Sequence, residues 1–138
     1  RRELVDNGIY ALFASNGLGV GAGGSVAIQE KLGGVAGRFT SMHNFWIELL
    51  VEGGVVFFSI ILLWYGSIIY NLFKISKWNK NESLSYYASS LLLSMIGFIP
   101  AAIAASSTIY FFPMWIMFGM GIAVINLYRK NLLLPHRN

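Results

Sequence analysis

The sequence predicts an all-α integral membrane protein with three transmembrane helices. Of its 138 residues, 56% are hydrophobic and only 12% are charged, and its mean hydropathy is +0.60. Because a soluble domain carries about 25% charged residues, this composition excludes an ordinary soluble domain. Three apolar stretches each approach the roughly 20 residues that a helix needs to cross the hydrocarbon core.

The spans are predicted at about residues 54–73, 86–104 and 109–127. Gly53-Gly54 opens the first span, where we expect a bend or a close helix contact at the membrane surface. A tight turn at 105–108 joins the second span to the third. The chain therefore divides into a loop region (1–53), a three-span bundle (54–128) and a tail (129–138).

Basic residues are concentrated in the loop after the first span and in the C-terminal tail. They are Lys74, Lys77, Lys80, Arg129, Lys130 and Arg137. Since cytoplasmic loops of membrane proteins are enriched in lysine and arginine, both regions are predicted to face the cytoplasm. Residues 1–53 are then predicted to lie on the extracytoplasmic side of the cytoplasmic membrane. We interpret the distribution of these basic residues as a topology signal, and we expect no nucleic-acid partner despite the net charge of +4.

The region before the first span is predicted to contain an amphipathic helix over residues 2–15, ended by Asn16-Gly17. Its apolar residues recur at helical spacing: Leu4, Val5, Ile9, Leu12 and Phe13. This helix is too short and too polar to span, so it either lies along the outer surface or continues an earlier span. A short helix is predicted around residues 26–32, and Ser41 or Asn44 is predicted to cap the next helix.

Residues 17–24 form a glycine-rich turn with the sequence Gly-Leu-Gly-Val-Gly-Ala-Gly-Gly. Backbone N–H groups around Gly19, Gly21 and Gly23 could converge on a phosphate-like anion. The strand–turn–helix context of a dinucleotide fold and the Lys-Ser or Lys-Thr of a P-loop are missing, so both assignments are rejected. The turn either approaches a lipid-linked group or is a close-packed turn under a loop. Glycine content alone favours the second.

His43 is the candidate catalytic residue. It directly precedes a predicted helix, where the positive end of the helix dipole disfavours imidazolium and keeps a neutral base available. Asn44 beside it adds a hydrogen-bond donor and acceptor. A lone histidine at an interface is more commonly a polar surface residue. His136 lies in the tail, on the other predicted side of the membrane, so the two histidines are not expected to share a metal.

Three outer cations, Arg1, Arg2 and Arg38, could hold a phosphate or pyrophosphate by forked hydrogen bonds. Anchoring to lipid headgroups explains them equally well. Glu48 and Glu52 share a helix face at i,i+4, and we favour a solvated face over a glycosidase-type carboxylate pair. Cysteine is absent, so a disulfide or a thiolate metal site is excluded.

Several motifs occur in a defined order along nearly the whole chain. They are Arg1-x-x-Leu4, Leu18-Gly19-Val20-Gly21-Ala22-Gly23, His43-Asn44-Phe45-Trp46-Ile47-Glu48, Gly53-Gly54, and Ser106-Ser107-Thr108-Ile109-Tyr110 followed by Pro113 and Trp115. This ordered set resembles the O-antigen ligase and polymerase family of bacterial envelope enzymes. The similarity is greatest to Gram-positive members associated with teichuronic acid or exopolysaccharide polymerisation, and the chain resembles their C-terminal part.

The resemblance implies that a glycan moves from an undecaprenyl-pyrophosphate carrier to an acceptor hydroxyl at the outer face of the cytoplasmic membrane. His43 matches the family's outer-loop histidine and would be a general base or an acceptor-orienting group. Arg1 matches an arginine that would bind the pyrophosphate, and Arg2 takes that place if the register shifts by one. A role for Arg38 in binding the pyrophosphate is a hypothesis only. The expected partners are the carrier-linked glycan, an acceptor glycan or lipid, and membrane lipids, with no metal or other cofactor.

Two other classes remain open at the level of the sequence. A transporter or flippase segment for lipid-linked glycans would carry ionisable residues within its spans, and the predicted spans contain no Asp, Glu, Lys, Arg or His. A non-catalytic membrane subunit would leave the glycine cluster and His43-Asn44 unexplained. Other functional arginines of the family lie upstream, so residues 1–138 alone are expected to show little or no activity.

Overall fold

The computed structural model of the protein describes residues 2–32, 44–103 and 112–133. These residues form five α-helices and no strand. The helices are α1 (Arg2–Ala14), α2 (Gly24–Leu32), α3 (Phe45–Trp78), α4 (Glu82–Ala101) and α5 (Phe112–Leu133). The predicted all-α fold is confirmed, including the helix before the glycine-rich turn and the short helix after it.

Three of these helices, α3, α4 and α5, are long and apolar enough to cross a membrane. The chain is thus a multi-pass membrane protein. Helix α3 has 34 residues, more than the roughly 20 that one crossing requires. Its two acidic residues precede Gly54, and no charged residue follows until Lys74. We therefore place the crossing in the part of α3 after Gly54. The predicted turn at 105–108 lies outside the described residues, and the orientation in the membrane stays a prediction.

The described residues form two compact units. The first consists of residues 2–32, 44–63 and 100–103, and the second of residues 64–99 and 112–133. In the first unit, α1 and α2 are joined through Gln29, whose side chain is almost completely buried. Its Nε2 donates to the carbonyl oxygen of Leu4 at 2.8 Å, and its Oε1 accepts from Asn7 Nδ2 at 3.2 Å. Because both ends of the buried amide have partners, the polar group is tolerated between the two helices.

Helix α1 ends in a Schellman motif, as the Asn16-Gly17 signal predicted. The Gly17 N–H donates to the carbonyl oxygen of Leu12 at 2.9 Å, and the Asn16 N–H donates to that of Phe13 at 3.0 Å. Asn16 has a positive φ of 53°, in the left-handed region that this motif requires. The motif reverses the chain and directs it into the glycine-rich turn.

The core of the second unit consists of side chains at helical spacing on each of its three helices. On α3 and α4 these are Tyr65, Ile68, Leu72, Ile75, Leu84, Ala88, Leu91 and Met95, and on α5 they include Met114 and Phe118. The Tyr65 hydroxyl donates to the carbonyl oxygen of Met95 at 2.6 Å. A Cβ atom at Gly121 would lie 3.3 Å from Cγ2 of Ile68, so α5 approaches α3 closely there. The outward side chains of these helices are mostly apolar and exposed, as expected for lipid-facing surfaces.

Candidate functional site

The glycine-rich turn, residues 17–24, packs on a break in α3. Gly54 has φ 76° and ψ 173°, which are not helical values, although it lies inside α3. In a regular helix the Val55 N–H would donate to the carbonyl oxygen of Val51. Here the Val55 N–H donates instead to the carbonyl oxygen of Gly17 at 2.9 Å. The Val51 carbonyl oxygen accepts from the Val20 N–H, also at 2.9 Å.

A third bond completes this exchange, because the Gly21 N–H donates to the carbonyl oxygen of Glu52 at 3.0 Å. The turn thus supplies partners for backbone groups that the break at Gly54 removes from the helical pattern. Unpaired backbone groups are costly beside or within a membrane. The break is therefore stabilised by a segment far away in the sequence. The expected bend at Gly53-Gly54 is present, and its close contact is with this turn.

Glycine is required at both surfaces of this contact. A Cβ atom at Gly19 would lie 2.5 Å from the carbonyl oxygen of Glu52 and 2.5 Å from the nitrogen of Gly54. A Cβ atom at Gly54 would lie 2.7 Å from the carbonyl oxygen of Gly17 and would overlap the carbonyl group of Leu18. Close packing therefore explains why positions 19 and 54 are glycine, and no bound ligand is needed for that explanation.

The backbone donors of the turn are largely engaged within the protein. The Gly19 N–H donates to Oγ of Ser15 at 3.1 Å, the Gly21 N–H is bonded to α3, and the Gly24 N–H donates to the carbonyl oxygen of Gly21 at 3.0 Å. Gly21 and Gly23 both have positive φ, and a Cβ atom at either would meet nothing within 4 Å. The N–H groups of Gly19 and Gly21 are therefore not available to a ligand. The predicted binding roles of Gly19, Gly21 and Gly23 stay predictions.

Helix α2 is fixed to α3 by a hydrogen bond between Ser25 and Glu52. The Ser25 hydroxyl is almost completely buried, and its Oγ donates to Oε1 of Glu52 at 2.5 Å. The expectation that Glu48 and Glu52 form a solvated helix face was wrong. Both are only partly exposed, and Oε2 of Glu48 is buried with no hydrogen-bond partner in the described part of the chain. The glycine-rich turn and Ser25 of α2 contact α3 around Glu52, which the helical spacing alone does not reveal.

The environment of Glu48 disfavours the ionised form of its carboxyl group. It precedes the membrane-crossing part of α3, and burial, together with the charge of the nearby Glu52, raises the pKa of Glu48 above its ordinary value of 4.5. A carboxyl group in the first turn of a helix is ordinarily stabilised as an anion by the helix dipole. Burial and the charge of Glu52 act in the opposite direction here.

Asn44 begins α3 in the manner predicted for a cap. Its Oδ1 accepts from the Ile47 N–H at 3.3 Å, and its carbonyl oxygen accepts from the Glu48 N–H at 2.9 Å. The start of α3 is held further by the Phe45 N–H, which donates to the carbonyl oxygen of Ala102 at 3.1 Å. The side-chain oxygen of Asn44 is therefore used in capping, and its predicted substrate contact stays a prediction.

The remaining predicted site residues fall where the structure describes little or nothing. His43, Arg1, Arg38 and the alternative cap Ser41 lie outside the described residues. Arg2 is the first residue of α1, and its side chain is not described. Their predicted roles stay predictions. Among residues 2–32, 44–103 and 112–133, no group of three or more His, Asp or Glu side chains could hold a metal ion.

Sequence reasoning did not find Ser25 or the role of Glu52 in joining α2 to α3. The only signal for this contact was the presence of two glycine clusters, at 17–24 and 53–54. Two such clusters can pack closely against each other, and this contact could have been predicted from them. Serine and glutamate beside such clusters carry no pattern that indicates a contact.

The chain is similar to a curated bacterial protein. It is 25% identical over 136 residues to the teichuronic acid biosynthesis protein TuaE of Bacillus subtilis (strain 168). The alignment includes 98% of this chain and 28% of that protein, so the chain spans less than a third of its relative's length. No family model matches the chain, and no solved structure does either. The chain is therefore a multi-pass membrane protein with a distant similarity to a protein of polysaccharide biosynthesis.

Proposed function

We propose that this chain is part of a membrane glycosyltransferase of the O-antigen ligase or polymerase type. It moves or polymerises a glycan from an undecaprenyl-pyrophosphate carrier onto an acceptor hydroxyl at the outer face of the cytoplasmic membrane. The observation that carries the proposal is the similarity of 98% of the chain to a teichuronic acid biosynthesis protein. Helices long enough to cross a membrane support it, because the carrier is a membrane lipid.

The proposed reaction is a single displacement at the anomeric carbon of the glycan. The acceptor oxygen forms a bond to this carbon while the bond to the carrier pyrophosphate breaks, and the acceptor proton passes to His43. A positioned base of this kind contributes about 10²–10⁴-fold. Arg1, or Arg2 in the shifted register, stabilises the charge on the leaving pyrophosphate. One displacement of this type inverts the anomeric configuration.

The contacts of the first unit are compatible with this proposal. His43 immediately precedes Asn44, which caps α3, and the glycine-rich turn is bonded to the same helix at Val51 and Glu52. Glu52 lies eight positions after Asn44, a rise of about 12 Å at 1.5 Å per residue of helix. Two of the motifs behind the family resemblance thus contact or cap the same helix.

The test compares wild type with His43→Ala in membranes that contain the full natural protein at matched levels. Conversion of the carrier-linked glycan into longer or transferred product is measured. We expect conversion to stop while the donor accumulates. His136→Ala is the matched control, since it removes the other histidine of this chain from the tail, and it should convert donor at the wild-type rate.

Three other results would lead to different conclusions. Wild-type conversion by His43→Ala would remove His43 from the chemistry. Loss of the protein from the membrane would show that His43 is needed for folding. Accumulation of the donor on the inner leaflet, measured by its access to an added glycosidase in oriented vesicles, would favour a flippase. Accumulation on the outer leaflet is the expected result.

A further inference from the structure

The first unit has an uncharged apolar surface that its own helices leave exposed. This apolar patch consists of Tyr10, Phe13, Leu18, Val55 and Val56. Phe13 and Leu18 each expose 76% of their surface, and a group of exposed apolar side chains is informative where a single one is not. On α1 the patch lies on the side away from Leu4, Ala11 and Leu12, which are buried.

The patch is continuous with the part of α3 that crosses the membrane. The Val55 N–H donates to the carbonyl oxygen of Gly17 at 2.9 Å, and a Cβ atom at Gly17 would lie 3.4 Å from Cγ2 of Val55. Leu18, the next residue, therefore stands beside the first residues of the crossing. Val55 and Val56 are themselves exposed at the point where α3 would enter lipid.

The distribution of charge matches this continuity. No Asp, Glu, Lys or Arg occurs between Asp6 and Glu30, and none occurs between Glu52 and Lys74. These two uncharged stretches are the ones that meet at Gly17 and Val55. A charge within the acyl-chain region is costly, whereas tyrosine and phenylalanine are favoured at its boundary with the headgroups.

We propose that the apolar patch contacts the lipid bilayer, so that α1 is an interfacial helix. Tyr10, Phe13 and Leu18 insert at the boundary between headgroups and acyl chains, beside the entry point of α3. The Tyr10 ring places its apolar body in this layer and its hydroxyl toward water. The glycine-rich turn then lies at the level of the lipid headgroups. This inference does not depend on the proposed glycosyl transfer.

The test uses the full natural protein reconstituted in lipid nanodiscs, with single cysteines carrying a nitroxide label. The 138 residues contain no cysteine, so each introduced site is unique once any cysteine outside them is replaced by serine. Phe13→Cys and Leu18→Cys report on the patch. Glu30→Cys, at an exposed charged position on α2, is the control. Collision rates with oxygen, which concentrates in lipid, and with a water-soluble nickel chelate are measured at each site.

We expect a ratio of oxygen to nickel collisions that is several-fold higher at positions 13 and 18 than at position 30. A ratio at 13 and 18 equal to that at 30 would overturn the proposal, since the patch would then face water. Low collision rates with both reagents would overturn it as well, because another protein segment would then cover the patch. Using two patch sites keeps the test valid if one variant fails to fold.

Discussion

The backbone of Gly19 lies directly against the backbone of Gly54, and neither position has room for a side chain. A Cβ atom at Gly19 would come within 2.5 Å of the Gly54 nitrogen, although 35 positions separate the two residues in the sequence. Both have positive φ, 85° and 76°. Two glycine clusters that look independent in the sequence therefore form one contact, which fixes the turn on the broken helix.

Gly19→Ala should destabilise the first unit much more than Gly21→Ala. Both glycines have φ 85°, so alanine meets the same backbone strain of about 1–2 kcal/mol at each. Only at position 19 would the new Cβ atom also overlap the backbone of α3. We expect a total loss of roughly 3 kcal/mol or more for Gly19→Ala and about 1 kcal/mol for Gly21→Ala. Thermal unfolding of the detergent-solubilised protein measures both. Equal losses would show that the close contact with Gly54 contributes nothing.

Gly54→Ala should release the turn from α3. Its φ and ψ are accessible essentially to glycine alone, at a cost of about 1–3 kcal/mol for other residues. We expect hydrogen exchange of the Val20, Gly21 and Val55 amides to accelerate by about tenfold or more, since 1.4 kcal/mol is a factor of ten.

Gly66→Ala is the control for this change on the same helix. A Cβ atom at Gly66 would meet nothing within 4 Å, so alanine should be accepted there. The Ser85 amide, which donates to the carbonyl oxygen of Asn81 at 3.0 Å, should keep its protection in both variants. Unchanged exchange at Val20 and Gly21 in Gly54→Ala would mean that the turn is held by other contacts.

The helices and their ends could be predicted from the sequence because their signals are local. Asn16-Gly17 ends α1 and Asn44 caps α3, and each signal acts within a few residues of the hydrogen bonds that it makes. The three apolar stretches predicted the membrane-crossing helices for the same reason, since length and composition are properties of one segment. Nothing in such signals depends on how distant segments meet.

The arrangement of the candidate site depends on distant contacts and was predicted only in part. Gly53-Gly54 indicated a bend or a close contact, but the sequence could not specify that the partner is the turn around Gly19. Glu48 and Glu52 were expected to face solvent, and this was wrong because α2 places Ser25 on Glu52. His43 lies outside the described residues, so its catalytic role stays a prediction.

Glu52→Ala should cost more stability than Glu52→Gln. Both changes remove the negative charge beside Glu48, so their difference contains the hydrogen bond to Ser25 and the packing of the longer side chain. Alanine leaves the buried Ser25 hydroxyl without its acceptor, at about 1–3 kcal/mol, whereas the glutamine carbonyl oxygen can still accept. Unfolding of both variants in the Ser25→Ala background completes a double-mutant cycle, in which the difference should shrink. A difference that persists without the Ser25 hydroxyl would assign it to another contact.

Asn44→Ala should weaken the start of α3 by about 1 kcal/mol, within the usual range of 0.5–2 kcal/mol for loss of an N-cap. Asn44→Ser keeps a capping oxygen and should retain most of this stability. If His43 acts from the position before this cap, glycan conversion should fall further in Asn44→Ala than in Asn44→Ser. Equal conversion by the two variants would show that the cap does not position His43, and unequal stability would still confirm the cap itself.

Glu48→Gln should flatten the dependence of stability on pH. Because burial and Glu52 raise the pKa of Glu48 in the folded protein, the folded state holds this proton more tightly than the unfolded state does. The free energy of unfolding therefore decreases as the pH rises above 4.5, until the folded carboxyl group has also ionised. Glutamine does not titrate, so this contribution disappears.

Melting temperatures at pH 5, 6 and 7 measure how stability changes with pH. This slope is more informative than the stability at one pH, because the amide N–H groups of glutamine also need hydrogen-bond partners and change the stability at every pH. Glu30→Gln, a change of the same chemistry at an exposed position on α2, is the control and should retain the wild-type slope. A wild-type slope in Glu48→Gln would mean that Glu48 stays ionised in the folded protein at all three values. Its buried Oε2 atom would then have to receive a hydrogen bond or a cation from residues outside the described part of the chain.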